Sequence, residues 1–412
     1  MQAPSGRDAP DRCPGAVQVH AAADGGLARV RLPGGRDAPD RCPGAVQVHA
    51  AADGGLAHVR LPGGRDAPDR CPGAVQVHAA ADGGLARVRL PGGRLTAAGL
   101  TVLRTAAAEL GDPALELTSR GNVQVRAVRP GAEHELAARL ADAGLLPSAT
   151  HERVRNIVAS PLSAAVRPLV AAFDALLCAT PALAGLPGRF LATVDDGRGD
   201  VTPLLGDVGL HGSRLTLAGR PTARHGGPEL LVRAAEAFLA ERAAQASKAW
   251  RLAELDDGPA RVAARLGTAL AAADLPRADP PEPGVHGRDA VLVVPLGLLT
   301  AEQSAALAGA GEEIIVTPWR TVVIPAAAMA DAVASGLVAD PGSPWAGVTA
   351  CAGRPGCAKA LADVRADARA AVRAGAPEPA HWVGCERRCG APKGRHVEML
   401  ATASGYQRSV RG

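Results

Sequence analysis

Aromatic side chains are scarce: the 412 residues include one Tyr, three Phe and four Trp, 2% of the chain, against 47% hydrophobic residues. Its cores must be built from Ala, Val and Leu, and each ring is expected to have a specific place. A strong excess of either charge is missing too, the net being +4 with a pI near 8.7, which implies no nucleic-acid partner. No apolar run of about 18 residues could span a membrane, and the polar start MQAPSGRDAPDR lacks the core of a signal peptide. No G-x-G-x-x-G or Walker loop is present, and the glycines around Asp195 to Asp200 do not follow the strand–loop–helix order of a nucleotide site. A 2-His-1-carboxylate triad does not stand out either, since His134-Glu135 and His151-Glu152 are adjacent pairs. His78, His211, His381 and His396 could each ligate a metal, although a lone histidine is ordinarily a core or surface residue.

The length suggests about three domains. The run GRDAPDRCPGAVQVHAAADGGLARVRLPG occurs three times, from Gly6, Gly35 and Gly64, differing only in His58 where the other copies have Arg29 and Arg87. Solenoid repeats diverge outside their core positions and these have not, so a tandem duplication is the simpler reading. Only the third copy runs into LTAAGLTVLRTAAAEL, so residues 1–63, with Cys13 and Cys42, are expected to be surplus to the fold.

An older repetition shapes the rest. A strand pattern from Leu85 to Leu90, a helix opened by Thr96 and a strand pair through ALELTSRGNVQVRAV recur in order as AVLVVPLG, a helix opened by Thr300, and EEIIVTPWRTVVIP. The boundary falls in the Pro- and Gly-rich stretch 277–289.

Of eight cysteines, four lie near the C-terminus: Cys351 and Cys357 in CAGRPGC, Cys385 and Cys389 in CERRC. Two close pairs with adjacent glycines suit loops wrapping an iron–sulfur cluster. Structural zinc and plain structural thiols are the alternatives; zinc pairs usually have two-residue gaps, whereas these are five and three. A helix from Ala358 to Ala374 is expected between the pairs. Cys71, in a C-P-G turn, reads as a loop thiol and Cys178, in an apolar run, as core.

That C-x5-C, C-x3-C spacing resembles the cluster motif of siroheme-dependent sulfite and nitrite reductases. LARVRLPGG (85–93), LTSRGNVQVR (117–126), HERVRNIVASPL (151–162) and LPGRF (186–190) resemble, in order, the tetrapyrrole-binding segments of that superfamily. Within it CPGAVQVH, TACAGRPGCAKALADVRADA and HWVGCERRCG are similar to the precorrin-3B synthase family. The resemblance covers residues 64–412 and implies an α+β fold of two pseudo-symmetric halves, each a ferredoxin-like α/β unit plus a nitrite/sulfite reductase-type α/β domain. The expected divisions are ferredoxin-like units at 64–130 and 290–340, a reductase-like domain at 131–276 and a cluster-binding domain at 341–412.

The resemblance implies a [4Fe-4S] cluster on Cys351, Cys357, Cys385 and Cys389, and tetrapyrrole contacts from Arg87, Arg120, Gln124, Arg155 and Arg189. Burying precorrin carboxylates requires paired cations, for which the guanidinium fork is well suited. Strand alternation puts Gln124 and Arg126 on one face. Two departures matter. The reductases flank the phenylalanine of LPGRF with two lysines, where this chain has Arg189 and Leu191, and they carry an arginine where Glu116 stands. The implied reaction is therefore oxygen insertion into precorrin-3A, with dioxygen as co-substrate, a mononuclear non-heme iron as activating centre, and NADH acting through a partner reductase. A siroheme-dependent nitrite or sulfite reductase is the alternative. Thiol ligation of a cluster fits the reducing cytoplasm.

Overall fold

A computed structural model describes residues 71–375, 379–392 and 395–411, together with 47–48 and 59–60. The chain divides into two compact units, Met1–Pro68 and Asp69–Gly412. In the first, Gln47–Val48 (β1) and Val59–Arg60 (β2) pair antiparallel. The rest of the first two repeat copies, with Cys13 and Cys42, lies outside the described residues.

The second unit starts with a hairpin of His78–Ala80 (β3) and Gly83–Val88 (β4). The LPGG turn leads into Arg94–Thr96 (β5) and helix Ala97–Leu110 (α1), whose N-cap Thr96 accepts from the Gly99 N–H at 3.0 Å. Leu115–Leu117 (β6) and Val123–Val128 (β7) form the expected antiparallel pair, and Glu133–Asp142 (α2) follows.

Ile157–Ala159 (β8), Val166–Ala179 (α3), Ala192–Asp195 (β9) and Val208–His211 (β10) open a larger α/β domain. Arg214–Leu217 (β11), Arg220–His225 (β12), Pro228–Ala244 (α4) and Gly258–Arg265 (α5) complete it. Its sheet runs β12-β11-β10-β9-β8, with β8, β9 and β10 parallel. All three phenylalanines, Phe173, Phe190 and Phe238, are buried in its core, the last two with ring centroids 5.4 Å apart.

The repetition then starts again with Gly284–His286 (β13), Asp289–Val293 (β14) and Leu298–Leu299 (β15). Helix Ala301–Ala308 (α6) carries a complete capping box between Thr300 and Gln303 and is followed by Glu313–Val316 (β16), Thr321–Pro325 (β17) and Met329–Ala334 (α7). The two small sheets trade strands. The first is ordered β15-β6-β7-β4-β3 and the second β13-β14-β17-β16-β5, so β5 and β15 each complete the sheet of the other half. One hydrophobic core, from Leu90 and Leu100 to Leu299 and Ile314, runs through both.

The last domain has Val348–Ala350 (β18), Val364–Arg373 (α8), Ala380–Val383 (β19), His396–Thr402 (β20) and Gly405–Arg411 (β21). Its first three strands are parallel and the last antiparallel, as in the β8–β11 part of the larger sheet. Helix α8 starts at Val364, not Ala358, because Asp363 caps it and the preceding residues belong to the cysteine loop: Ala360 N–H donates to Cys357 O, and Leu361 N–H to Gly384 O at 2.8 Å.

Candidate functional site

The four C-terminal cysteines sit on loops leaving the same end of two neighbouring parallel strands. Cys351 follows β18 and donates its N–H to Trp382 O on β19; Cys385 follows β19, and its carbonyl accepts from Arg388 N–H in the turn that carries Cys389. Gly384 N–H donates to Cys351 Sγ at 3.2 Å, the kind of bond that stabilises a ligating sulfur. Burial raises the pKa of the Cys389 thiol, Arg387 opposes this, and Cys351, Cys385 and Cys357 each add to the rise, so the four thiols share one locality. They do not close on a single ion. Among the described residues, the group of three or more potential metal-binding side chains whose ligand atoms lie within 4.8 Å of one another is Asp195, Asp196 and Asp200. One zinc would need sulfurs about 3.8 Å apart. A wider thiol frame with a backbone donor aimed at sulfur fits an iron–sulfur cluster better than zinc.

A second group gathers on the first small sheet. Arg87, on β4, donates through Nε (2.9 Å) and Nη2 to Gln124 Oε1 on β7, its register partner. Arg89, two residues on, is 2% exposed; its Nη2 reaches Pro72 O and Arg153 O, while its Nε and Nη1 have no partner among the described residues. Burial, with Arg87 and Arg120 nearby, pulls its pKa down to about 9. Burial, with Arg251 and Arg87, pulls Arg120 down to about 10. Cys71 acts on all three arginines, which places the C-P-G turn beside them. Three clustered cations, Arg89 buried and Arg87 and Arg120 partly buried, one with two unmatched donors, form a ready site for carboxylates.

Hydrogen bonds tie the expected segments together. Asn122 Oδ1 accepts from Leu90 N–H, Asn122 Nδ2 donates to Asn156 Oδ1, and Asn156 Nδ2 donates to Gly188 O. Arg120 donates to Gly188 O and to Arg189 O at 3.0 Å. The LPGG, TSRGN, RNI and LPGRF segments thus meet through buried side chains.

Residues 78–143 match the family model of the nitrite/sulfite reductase ferredoxin-like half domain. The chain is 27% identical to a precorrin-3B synthase from Sinorhizobium sp., over 77% of each. Its fold is similar to that of the NirA protein of Mycobacterium tuberculosis, with a TM-score of 0.58 and 19% identity over 79% of this chain and 73% of that one. Residues 78–143 thus resemble a half domain of the nitrite/sulfite reductase superfamily, within a fold similar to that of NirA.

Against that superfamily's pattern, the two departures have local explanations. Leu191 is buried with Val158, Val201 and Trp319 in a small apolar cluster where a lysine would lack a partner. Glu116 is buried on β6, where it accepts from Gln124 Nε2 at 2.8 Å, pairs with Arg365 of α8, and lies 3.7 Å from Arg126. Arg126 in turn grips Asp82 with two bonds and donates to Gly356 O, next to Cys357.

Arg155 and Arg189 sit differently from the other predicted arginines. Arg155 is forked onto Asp174 of α3 at 2.7 and 2.6 Å, so its guanidinium fastens the domain. Arg189 is exposed and stacks over Trp250 at 5.7 Å. The candidate iron histidines are not brought together as a triad: His211 bonds Thr202, His381 bonds Thr349, and His78 lies on β3. His381 and His396 have ring centroids 6.1 Å apart, with no carboxylate completing a set among the described residues. The Asp195–Asp200 glycine loop is a carboxylate cradle: Asp195 accepts from the N–H groups of Gly197, Gly199, Val201 and Thr202 and from the Thr202 hydroxyl.

Sequence reasoning missed Arg89, Asn122, Asn156, Arg320 and Arg365. Arg89 shares the strand face of Arg87 at a spacing of two, a signal that was available. Arg320 occupies the turn equivalent to that of Arg120. Thr118 Oγ1 accepts from the N–H groups of Arg120 and Asn122, and Thr317 Oγ1 from those of Trp319 and Thr321. Where Arg120 reaches the LPGRF loop, Arg320 reaches Gly390 O beside Cys389.

Proposed function

We propose that the protein is a precorrin-3B synthase, which hydroxylates precorrin-3A at C20 with dioxygen and closes the ring A acetate to a γ-lactone. The observation that carries this reading is the cluster of Arg87, Arg89 and Arg120 around two unmatched Arg89 donors, because a carboxylate-fringed macrocycle supplies the missing acceptors. The 27% identical precorrin-3B synthase of Sinorhizobium sp. supports the choice of substrate. In this reading Arg87 is held in place by Gln124, while Arg89 and Arg120 bind and orient acetate and propionate groups. Leu191 and Trp319 share an apolar cluster unsuited to holding a small anion such as sulfite.

Cys351, Cys357, Cys385 and Cys389 would hold a [4Fe-4S] cluster, which when bound passes electrons singly. Hydroxylation places one oxygen atom in the substrate and the other in water, so each turnover takes two electrons, which we assign to NADH through a separate reductase. The candidate histidines are not gathered as a triad for a mononuclear iron among the described residues, and no step is routed through one. No helix among them is long and apolar enough to cross a membrane, and the thiol socket suits the cytoplasm.

Anaerobic purification and pigment extraction, followed by oxygen uptake with precorrin-3A, test the proposal. Expected are iron and sulfide lost on replacing any of the four cysteines with Ala, substrate-dependent oxygen consumption, and no viologen-driven reduction of sulfite or nitrite. Tightly bound siroheme with such reduction would overturn it in favour of a reductase.

A further inference from the structure

The buried carboxylate of Glu116 lies between the Arg87–Gln124 pair and the cysteine-bearing domain. On one side it accepts from Gln124 Nε2, and Gln124 Oε1 in turn receives the Arg87 guanidinium. On the other it pairs with Arg365, on the helix between the two cysteine pairs, and faces Arg126 at 3.7 Å. Arg126 spans the same junction by binding Asp82 on the hairpin turn and Gly356 O in the Cys351–Cys357 loop. Arg320, whose Nη2 bonds Gly390 O beside Cys389, also feels the Glu116 charge. One carboxylate therefore acts on Arg87, Arg126, Arg320 and Arg365, three of which touch cluster-domain backbone or belong to that domain.

We propose that Glu116 is a positioning residue that couples the tetrapyrrole pocket to the cluster socket, a role that rests on the functional reading above. Its charge offsets cations that would otherwise repel one another in a low-dielectric junction. Its two oxygens fix Gln124, and so Arg87, relative to α8. A carboxylate arriving at Arg87 would compete with Gln124 for the guanidinium, and the change would reach Arg365 through the Gln124–Glu116 and Glu116–Arg365 hydrogen bonds and Gly356 through Arg126, 3.7 Å from Glu116.

The test compares wild type with Glu116→Gln, which keeps an acceptor oxygen without the charge, and Glu116→Ala, using uroporphyrin III as a stable carboxylated tetrapyrrole probe. In the reconstituted protein, Glu116→Gln should raise the cluster midpoint potential at full iron and sulfide content, since a negative charge nearby is lost. Uroporphyrin should shift the wild-type potential, and Glu116→Ala should abolish that shift while weakening uroporphyrin binding about tenfold. Unchanged potentials in both variants, or a uroporphyrin-induced shift that survives in Glu116→Ala, would overturn the inference. If wild type binds no cluster, the functional reading fails separately. Hydrogen exchange of residues 351–360 then decides the coupling: slowing by uroporphyrin that is lost in Glu116→Ala upholds it, and no slowing in wild type overturns it.

Discussion

Arg89 and Arg155 are both buried arginines in segments resembling tetrapyrrole-binding motifs, yet their surroundings give them opposite duties. Arg155 has both arms of its fork on Asp174, whereas Arg89 keeps Nε and Nη1 unmatched. Arg155→Ala should therefore cost about 3–5 kcal/mol of stability, by leaving the Asp174 carboxylate without its partner, and should change uroporphyrin affinity little. Arg89→Met should do the reverse: melting should hold or rise, because an uncompensated buried charge is gone, while affinity falls roughly ten- to hundredfold. Paired calorimetry and titration on the two variants check this. The motif shows that a cation is present and not whether a partner across the fold has claimed it, which is why sequence reasoning grouped Arg155 with Arg87 and passed over Arg89. Asp195 offers a pH signature. Burial works against its ionisation, but the N–H groups of Gly199, Gly197 and Thr202 and the Thr202 hydroxyl outweigh that and hold its pKa below the usual carboxylate range. Its contribution is present above about pH 4 and lost as pH falls through the lowered folded value. Asp195→Asn should cost about 2–4 kcal/mol near neutrality, with the gap to wild type narrowing below about pH 4 in urea titrations.

Elements were legible where local chemistry defines them. Thr96 and Thr300 cap their helices as their side chains suggest, and the β6–β7 pair follows from alternation. The expected start of α8 was early because Ala and Lys after Cys357 have good helix propensity, while their backbone is claimed by the cysteine loop. The exchanged strands were not legible at all. β5 has three residues and β15 two, too few for any alternation to name a partner sheet. What does mark the exchange is the turn before it. Gly93, at φ +74°, lies so close to β16 that a Cβ would sit 1.9 Å from Val316 O. Gly93→Ala must push β16 away from β5 as well as strain the turn, so it should destabilise the protein by about 2–4 kcal/mol. Thermal melting and faster hydrogen exchange at 313–316 would register it; a loss below about 0.5 kcal/mol would show that the two strands need not approach so closely.

At the scale of the whole molecule, the strand trade decides what can fold. Each small sheet is finished by a strand from the other half, and a single core containing Leu90, Leu100, Leu299 and Ile314 spans both. The α+β class and the order of the two halves could be read from the recurring strand, helix and strand pair, because that order is written along the chain. Their interlocking could not, because it depends on contacts between residues about 200 positions apart, such as Leu95 with Ile314. Residues 64–283 and 284–412 made separately should each expose a sheet edge and half a core, and so remain unfolded or aggregate. Mixed during refolding, they should recover a joint transition, since β5 and β15 dock without a covalent link between the halves. A chain beginning at residue 64 should by contrast melt close to the full-length protein, because both halves and both exchanged strands are retained. Circular dichroism melts of the five samples, the full-length protein included, distinguish the outcomes. A cooperative transition in either half alone would show that strand exchange is incidental to folding, and a large fall in melting temperature for the chain beginning at residue 64 would show that the first two repeat copies pack into the fold.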